Sequence, residues 1–169
     1  MSAEVTVTPA RPEHCEAIAG LLDELDRFYG AAEAEPAEQR MRHIREALFS
    51  SPPTAYALLA WEGERLIGFA SYSFLWPAAG STRSLYLKEL YVAEACRGKG
   101  VGTLLIDGLR IAATERGCSR VEWTADDDNP GAVRFYEALG YPPEPSKIFY
   151  RLEGDYLRQA VSGSARSTP

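Results

Sequence analysis

Arg97-Gly98-Lys99-Gly100-Val101-Gly102 decides the reading of this chain. Before it runs SLYLKELYV, residues 84–92, in which Leu85 and Leu87 alternate with Tyr86 and Lys88 as in a strand; after it Val101, Leu104, Leu105, Leu109 and Ala112 recur at helical spacing. Glycines at such a junction let the backbone approach a ligand. Successive N–H groups at the start of a helix then point at it with the positive end of the dipole, an arrangement suited to an anion. Arg97 and Lys99 add charge. A loop built only for turning needs neither the alternating glycines nor the two cations.

The spacing excludes two familiar phosphate loops. A P-loop needs Lys followed by Ser or Thr, and Lys99 is followed by Gly100. A dinucleotide fingerprint fits Gly98 and Gly100, and Asp126 could serve as its ribose-binding acid, but Thr103 stands where the third glycine belongs. The four residues AEAC also separate Val92 from Arg97, too long for the tight first turn of that fold.

Upstream, EVTVT at 4–8 reads as a strand. Pro12 suits a helix start, Ile18, Leu21, Leu22, Leu25 and Phe28 or Tyr29 form an apolar stripe, and Gly30 ends the helix. Met41, Ile44 and Leu48 mark a second helix, stopped by SSPP at 50–53. TAYALLAW and RLIGFASYSFLW, separated by EGE, form a hairpin that leads into 84–92. Downstream, Gly117 closes the glycine-loop helix, SRVEWTA is a strand, and Asn129-Pro130 opens a helix with Phe135, Tyr136 and Leu139 facing inward. KIFYRL, at 147–152, is a last strand-like run. The order is strand, two helices, three-strand meander, helix, strand, helix, strand, which predicts a mixed α/β sheet flanked by helices.

The 169 residues carry 18 Lys and Arg against 24 Asp and Glu, a net charge of −6, with 46% hydrophobic residues. One globular domain is expected. A net negative chain is poorly suited to nucleic acid. No apolar run has the roughly 20 residues of a membrane helix, and the opening residues lack a basic segment followed by an apolar core, so a cytoplasmic protein without a membrane partner is expected. Cys15, Cys96 and Cys118 are odd in number and lack metal-ligand spacing, so the expectation is reduced thiols and no metal.

At this point the sequence resembles the GCN5-related N-acetyltransferase (GNAT) family. Its pyrophosphate motif, [RQ]-x-x-G-x-[GA], is met by Arg97, Gly100 and Gly102, with ELYV before it at 89–92. A second family pattern, N-x-x-A-x-x-F-Y-x-x-x-G-[FY], is met by Asn129, Ala132, Phe135, Tyr136, Gly140 and Tyr141. The resemblance implies a mixed, mostly antiparallel sheet of six or seven strands, splayed between the fourth and fifth and flanked by about four helices. It also implies one domain over 1–155, leaving 156–169 as a small polar tail, partly disordered.

The implied activity is transfer of an acetyl group from acetyl-CoA to a primary amine. The reaction requires a neutral amine, a donor to the carbonyl oxygen and a proton for the thiolate. No Ser-His-Asp set is evident, and His14 and His43 fall in the two early helices. Direct attack by the amine is therefore more economical than a covalent intermediate, for which Cys96 would be the nucleophile. By resemblance, the cofactor-binding residues are Leu90, Tyr91 and Val92 along the pantetheine, Arg97, Gly98, Lys99, Gly100, Val101, Gly102 and Thr103 around the phosphates, and Asn129, Ala132 and Tyr136. Tyr136 is the implied general acid; a phenol of ordinary pKa, about 10, is protonated at neutral pH and can donate to a thiolate. Glu89 is the candidate base, acting through water, although a strand carboxylate paired with Lys88 or an arginine reads equally well.

Within the family the chain is most similar to the diamine (spermidine/spermine) and thialysine N-acetyltransferase branch, through LLDELDRFYG, GFASYSFLWPAAG and LYLKELYV. That branch implies substrate contacts at Phe28, Tyr29, Glu89, Glu122, Trp123 and Thr124, and a homodimer, for which Phe149 and Tyr150 would suit a sheet-edge contact. Asp23, Glu24, Asp26 and Asp126-Asp127-Asp128 could steer a cationic amine, or simply be solvated surface. Lys88 departs from the branch, standing where the polyamine enzymes tend to carry an acid. It favours a small mono- or diamine, or an amino-acid side-chain amine, over spermine. The alternatives are a protein acetyltransferase acting on lysine or an N-terminal amine, and a non-catalytic acyl-CoA-binding sensor.

Overall fold

A computed structural model describes residues 4–162 and divides into two compact units, Met1–Asp126 and Asp127–Pro169. The first contains β1 (Val5–Pro9), α1 (Cys15–Phe28), α2 (Ala37–Leu48), β2 (Tyr56–Glu62), β3 (Arg65–Leu75), β4 (Arg83–Val92), α3 (Val101–Glu115) and β5 (Cys118–Trp123). Its sheet has the order β1-β2-β3-β4-β5, antiparallel except for the parallel pair β4–β5. A parallel pair cannot be joined by a tight turn, and the glycine loop with α3 supplies the crossover.

Each face of the sheet buries the stripe of a different helix. Cys15, Ile18, Leu21 and Leu25 of α1 and Ile44 of α2 cluster with Ala57, Leu59, Phe69, Tyr91 and Ala93. On the other face α3 turns in Val101, Leu105, Ile106, Leu109 and Ala113. It lies so close that a Cβ on Gly108 would come within 2.8 Å of a Leu58 methyl. Leu104, counted in the apolar stripe from spacing, is instead 41% exposed at the edge of that helix.

β4 contains the irregularity that matters most for the site. Ser71 pairs with Glu89 but Tyr72 pairs with Leu87, so Lys88 is an extra residue in β4. Side chains alternate across a strand, and one added residue reverses which face each later side chain occupies. Leu85 and Leu87 are buried opposite Phe74 and Tyr72, whereas beyond the bulge Glu89 and Tyr91 share the face of Phe69 and α1. Unbroken alternation would have placed Glu89 with Leu85 and Leu87.

In the second unit, α4 (Pro130–Ala138) is capped by Asn129, whose Oδ1 accepts from Ala132 N at 3.1 Å, and α5 spans Gly154–Ser162. The sheet has five strands among the described residues, not six or seven. The missing strand is KIFYRL: residues 147–152 join no ladder, and Ile148, Phe149, Tyr150 and Leu152 are exposed. Strand propensity reports fit to a pleated surface, and a strand also needs a neighbour to pair with. The border expected at 155 falls inside α5, and residues 163–169 of the expected tail lie outside the described residues.

Candidate active site

β4 and β5 part midway along β4. Their ladder ends at Leu87 opposite Trp123, whereas β4 continues against β3 as far as Val92. From Lys88 to Val92, β4 is therefore laddered on its β3 side alone. This is the splay between the fourth and fifth strands. At its closed end Glu122 and Trp123 stand opposite Tyr86 and Leu87, and the Tyr86 and Thr124 hydroxyls are 3.4 Å apart. Glu122 also lies 3.5 Å from Arg120.

Glu89 sits just past the parting point, half-buried, and accepts a hydrogen bond from the Tyr29 hydroxyl at 3.3 Å. Tyr29 follows α1, so the bulge in β4 and the end of a helix on the same face bring them together. Burial is the main influence on Glu89 and pushes its pKa above the usual carboxylate value; the Tyr29 hydrogen bond and Lys88 pull it back, and Asp126 pushes it further up. The Tyr29 phenol is raised as well, by burial first and then by Glu89. A carboxyl raised in this way is suited to accept a proton near neutral pH.

The glycine loop follows β4 through a single 3-10 turn, Glu94–Cys96. Gly98 and Gly100 have φ of 74° and 81°, a left-handed conformation in which a side chain is strained, and nothing lies within 4 Å of where a Cβ would be. Gly100 is the N-cap of α3 and no side chain caps that helix. The first intrahelical bond runs from Leu104 N to Gly100 O, which leaves the N–H groups of Val101, Gly102 and Thr103 at the open end. Lys99 is exposed beside them. The arrangement fits a phosphate group.

Arg97, expected at the phosphates, points elsewhere. Its guanidinium lies 4.6 Å from the Phe28 ring centroid and 5.4 Å from that of Tyr91, and its Nε donates to Val92 O at 3.0 Å. Cys96 is buried, which removes it as a nucleophile. In the second unit Tyr136 is half-buried on α4, its ring 5.1 Å from that of Phe135 in an edge contact.

The structure thus gathers Phe28, Tyr29, Glu89, Tyr91 and Arg97 along the open part of the splay, with Glu122, Trp123 and Thr124 at its closed end. Three acidic residues near the end of α1 are engaged in holding the fold. Glu24 accepts from the Tyr91 hydroxyl at 2.9 Å, Asp26 pairs with Arg40 at 2.7 Å, and Asp23 pairs with Arg27. Arg40 of α2 is buried although its sequence signal is slight. It lies one helical turn before Ile44, and a cation within an apolar stripe is the signal of a buried ion pair. Glu24 showed no such signal, because its partner Tyr91 lies 67 residues away. Among the described residues no cluster of three or more His, Cys, Asp or Glu side chains is placed to hold a metal ion, and no helix is long and apolar enough to cross a membrane.

Comparisons with known proteins give a consistent picture. A family profile described as the acetyltransferase (GNAT) family matches residues 18–141. The chain is 27% identical to the thialysine N-epsilon-acetyltransferase of Mus musculus over 172 aligned positions, covering 93% of this chain and 97% of that one. An integron cassette protein from the mobile metagenome of V. cholerae is similar at 31% identity and a TM-score of 0.87, over 96% of this chain and 99% of that one. The aminoglycoside N-acetyltransferase AAC(6')-Iy, solved in complex with CoA, has the same fold at 22% identity and a TM-score of 0.73, over 91% of this chain and 98% of that one.

Proposed function

We propose that this chain, which belongs to the acetyltransferase (GNAT) family, acetylates the primary amine of a small molecule, a diamine or an amino-acid side-chain amine resembling thialysine. The chain is an N-acetyltransferase with acetyl-CoA as its donor. When bound, acetyl-CoA supplies a thioester activated for attack by an amine. The observation that carries the reading is the half-buried Glu89, held by Tyr29 where β4 leaves β5.

In this reading Glu89 takes a proton from the incoming ammonium, through a water, and leaves a neutral amine able to attack. Backbone N–H groups among Leu90, Tyr91 and Val92 donate to the thioester carbonyl oxygen as it gains charge. Gly98 to Thr103 offer their N–H groups and Lys99 its charge to the phosphates. Tyr136 gives its hydroxyl proton to the departing thiolate, with Asn129 and Ala132 forming the helix start that supports it. Phe28 and Tyr29 bound the acceptor on one side, and Glu122, Trp123 and Thr124 on the other. Lys88, exposed next to Glu89, disfavours an acceptor with several positive charges.

We extend the reading to a cytoplasmic protein and, on the exposed Ile148, Phe149, Tyr150 and Leu152, to a homodimer. Sedimentation equilibrium giving a single 18.6 kDa species would remove the dimer. Thiol release from acetyl-CoA tests the activity, measured across thialysine, ornithine, short diamines, spermine, aminoglycosides and lysine peptides. Turnover should be fastest on the small mono- and diamines. Faster turnover of lysine peptides would replace the small-molecule acceptor with a protein, and tight CoA binding without turnover of any amine would leave a sensor.

A further inference from the structure

The two cations of the glycine loop face different tasks. Lys99 is exposed on the open loop, whereas the Arg97 guanidinium lies against the Phe28 and Tyr91 rings with its Nε bonded to the Val92 carbonyl. Phe28 in turn touches both of its aromatic neighbours, its ring centroid 5.3 Å from that of Tyr29 and 6.0 Å from that of Tyr91. One turn earlier on α1, Glu24 accepts from the Tyr91 hydroxyl and, at 3.3 Å, from the backbone N–H of Glu94, where the chain enters the loop. Residues i and i+4 share a helix face, so Glu24 and Phe28 grip the loop from one side of α1. The Tyr91 phenol, pushed up to about 12 by burial and then by Glu24, stays a donor throughout the working range.

We infer that Arg97 is a positioning residue that clamps the end of α1 to the glycine loop, so that the acceptor side of the site and the phosphate side order one another. The inference rests on the proposed function, because it takes Phe28 and Tyr29 as the acceptor wall and the loop as the phosphate cradle. A guanidinium stacked on two rings and fixed through Nε is specific to arginine; an ammonium can replace its charge but not its plane. Displacing either segment breaks the stack, so a ligand that holds one segment in this arrangement favours it in the other, and by linkage each ligand tightens the other by the same factor.

Calorimetric titration of coenzyme A, with and without the amine of the panel that is turned over fastest, tests the clamp in wild type, Arg97→Lys, Phe28→Leu and Lys99→Gln. Wild type should bind coenzyme A about 3- to 10-fold more tightly when the amine is present, within the usual range of coupling between sites. Arg97→Lys and Phe28→Leu should each abolish that gain, although Lys keeps the charge and Phe28 lies on the acceptor side. Lys99→Gln should weaken coenzyme A, flatten its salt dependence and leave the gain intact. Retention of the gain in Arg97→Lys overturns the inference, as does a wild type with no gain. A further variant, Arg97→Gln, is titrated across salt: a dependence flattened as much as by Lys99→Gln would put Arg97 on the phosphates and overturn the inference too. If one clamp variant fails to fold, the other tests the contact from its opposite side. Failure of the proposed function looks different: no turnover of any amine by wild type, which removes both readings together.

Discussion

Tyr29 and Glu89 lie 60 positions apart in sequence, yet the phenol of one donates to the carboxylate of the other at 3.3 Å. That bond opposes the effect of burial, so its loss removes an influence that lowers the Glu89 pKa. In Tyr29→Phe the acidic limb of the kcat/KM profile should therefore move to higher pH. In Glu89→Gln the limb should vanish and the rate fall by about 10²-fold or more, the usual scale for a lost general base. An acidic limb unchanged in Glu89→Gln would take the base role away from it.

The same carboxyl should affect stability in the opposite direction. Its folded pKa is raised, so the folded state binds more protons than the unfolded one between the unfolded and folded values, and stability is lost as pH rises through that window. Glu89→Gln should accordingly raise Tm at pH 7 to 8. The advantage should shrink below the ordinary carboxylate pKa of about 4.3, where wild type is protonated in both states. Thermal unfolding of both proteins across pH reads the crossover.

Tyr136→Phe should lower kcat by about 10²-fold, within the range for a positioned acid, and leave the acetyl-CoA dissociation constant close to that of wild type. Stopped-flow turnover and equilibrium binding of coenzyme A separate the two quantities. An unaltered kcat would remove Tyr136 as the acid.

Gly100→Ala places a side chain at φ 81° in the N-cap of α3. A left-handed conformation costs a non-glycine residue roughly 1–2 kcal/mol. Chemical denaturation should show that loss, and coenzyme A binding should weaken because the N–H groups of the cradle lose their alignment. Equal stability in the variant would mean that the loop adopts another conformation.

Arg40→Met should destabilise the protein by about 1–3 kcal/mol, the cost of leaving partners of a buried group unsatisfied. Arg40 is 5% exposed and serves Asp26 at 2.7 Å, with Glu35 and Asp23 at 3.8 and 3.9 Å. Methionine keeps most of the apolar stem, so the loss reports chiefly on the carboxylates. Urea unfolding at low and high salt should show the deficit narrowing as salt screens them.

The elements before and after the glycine loop were legible because each has a clear period. Leu21 and Leu25 in α1, or Leu105 and Leu109 in α3, repeat at helical spacing and are buried as that spacing requires. The parting of β4 from β5 came only with the family resemblance, since no local pattern marks where a ladder stops. KIFYRL misled for the reverse reason: its alternation is strand-like, but pairing depends on a partner that a local pattern does not reveal. The two-ring setting of Arg97 was also invisible, because Phe28 and Tyr91 reach it from separate elements; the motif pointed to its charge and the fold uses its flat shape.

Lys88 bends β4 without deciding which way Glu89 faces. Many side chains can occupy an exposed bulge position, so Lys88→Ala or Lys88→Gln should leave the register of β4 intact. Deleting the residue is a different event. It would remove the bulge and its added twist, yet Glu89 would then follow Leu87 directly, still on the face opposite Leu87 and still paired with Ser71 beside Tyr29. This short strand should therefore accept substitutions at 88 in a mutational library, and deletion of Lys88 should straighten it without turning Glu89 away from Tyr29.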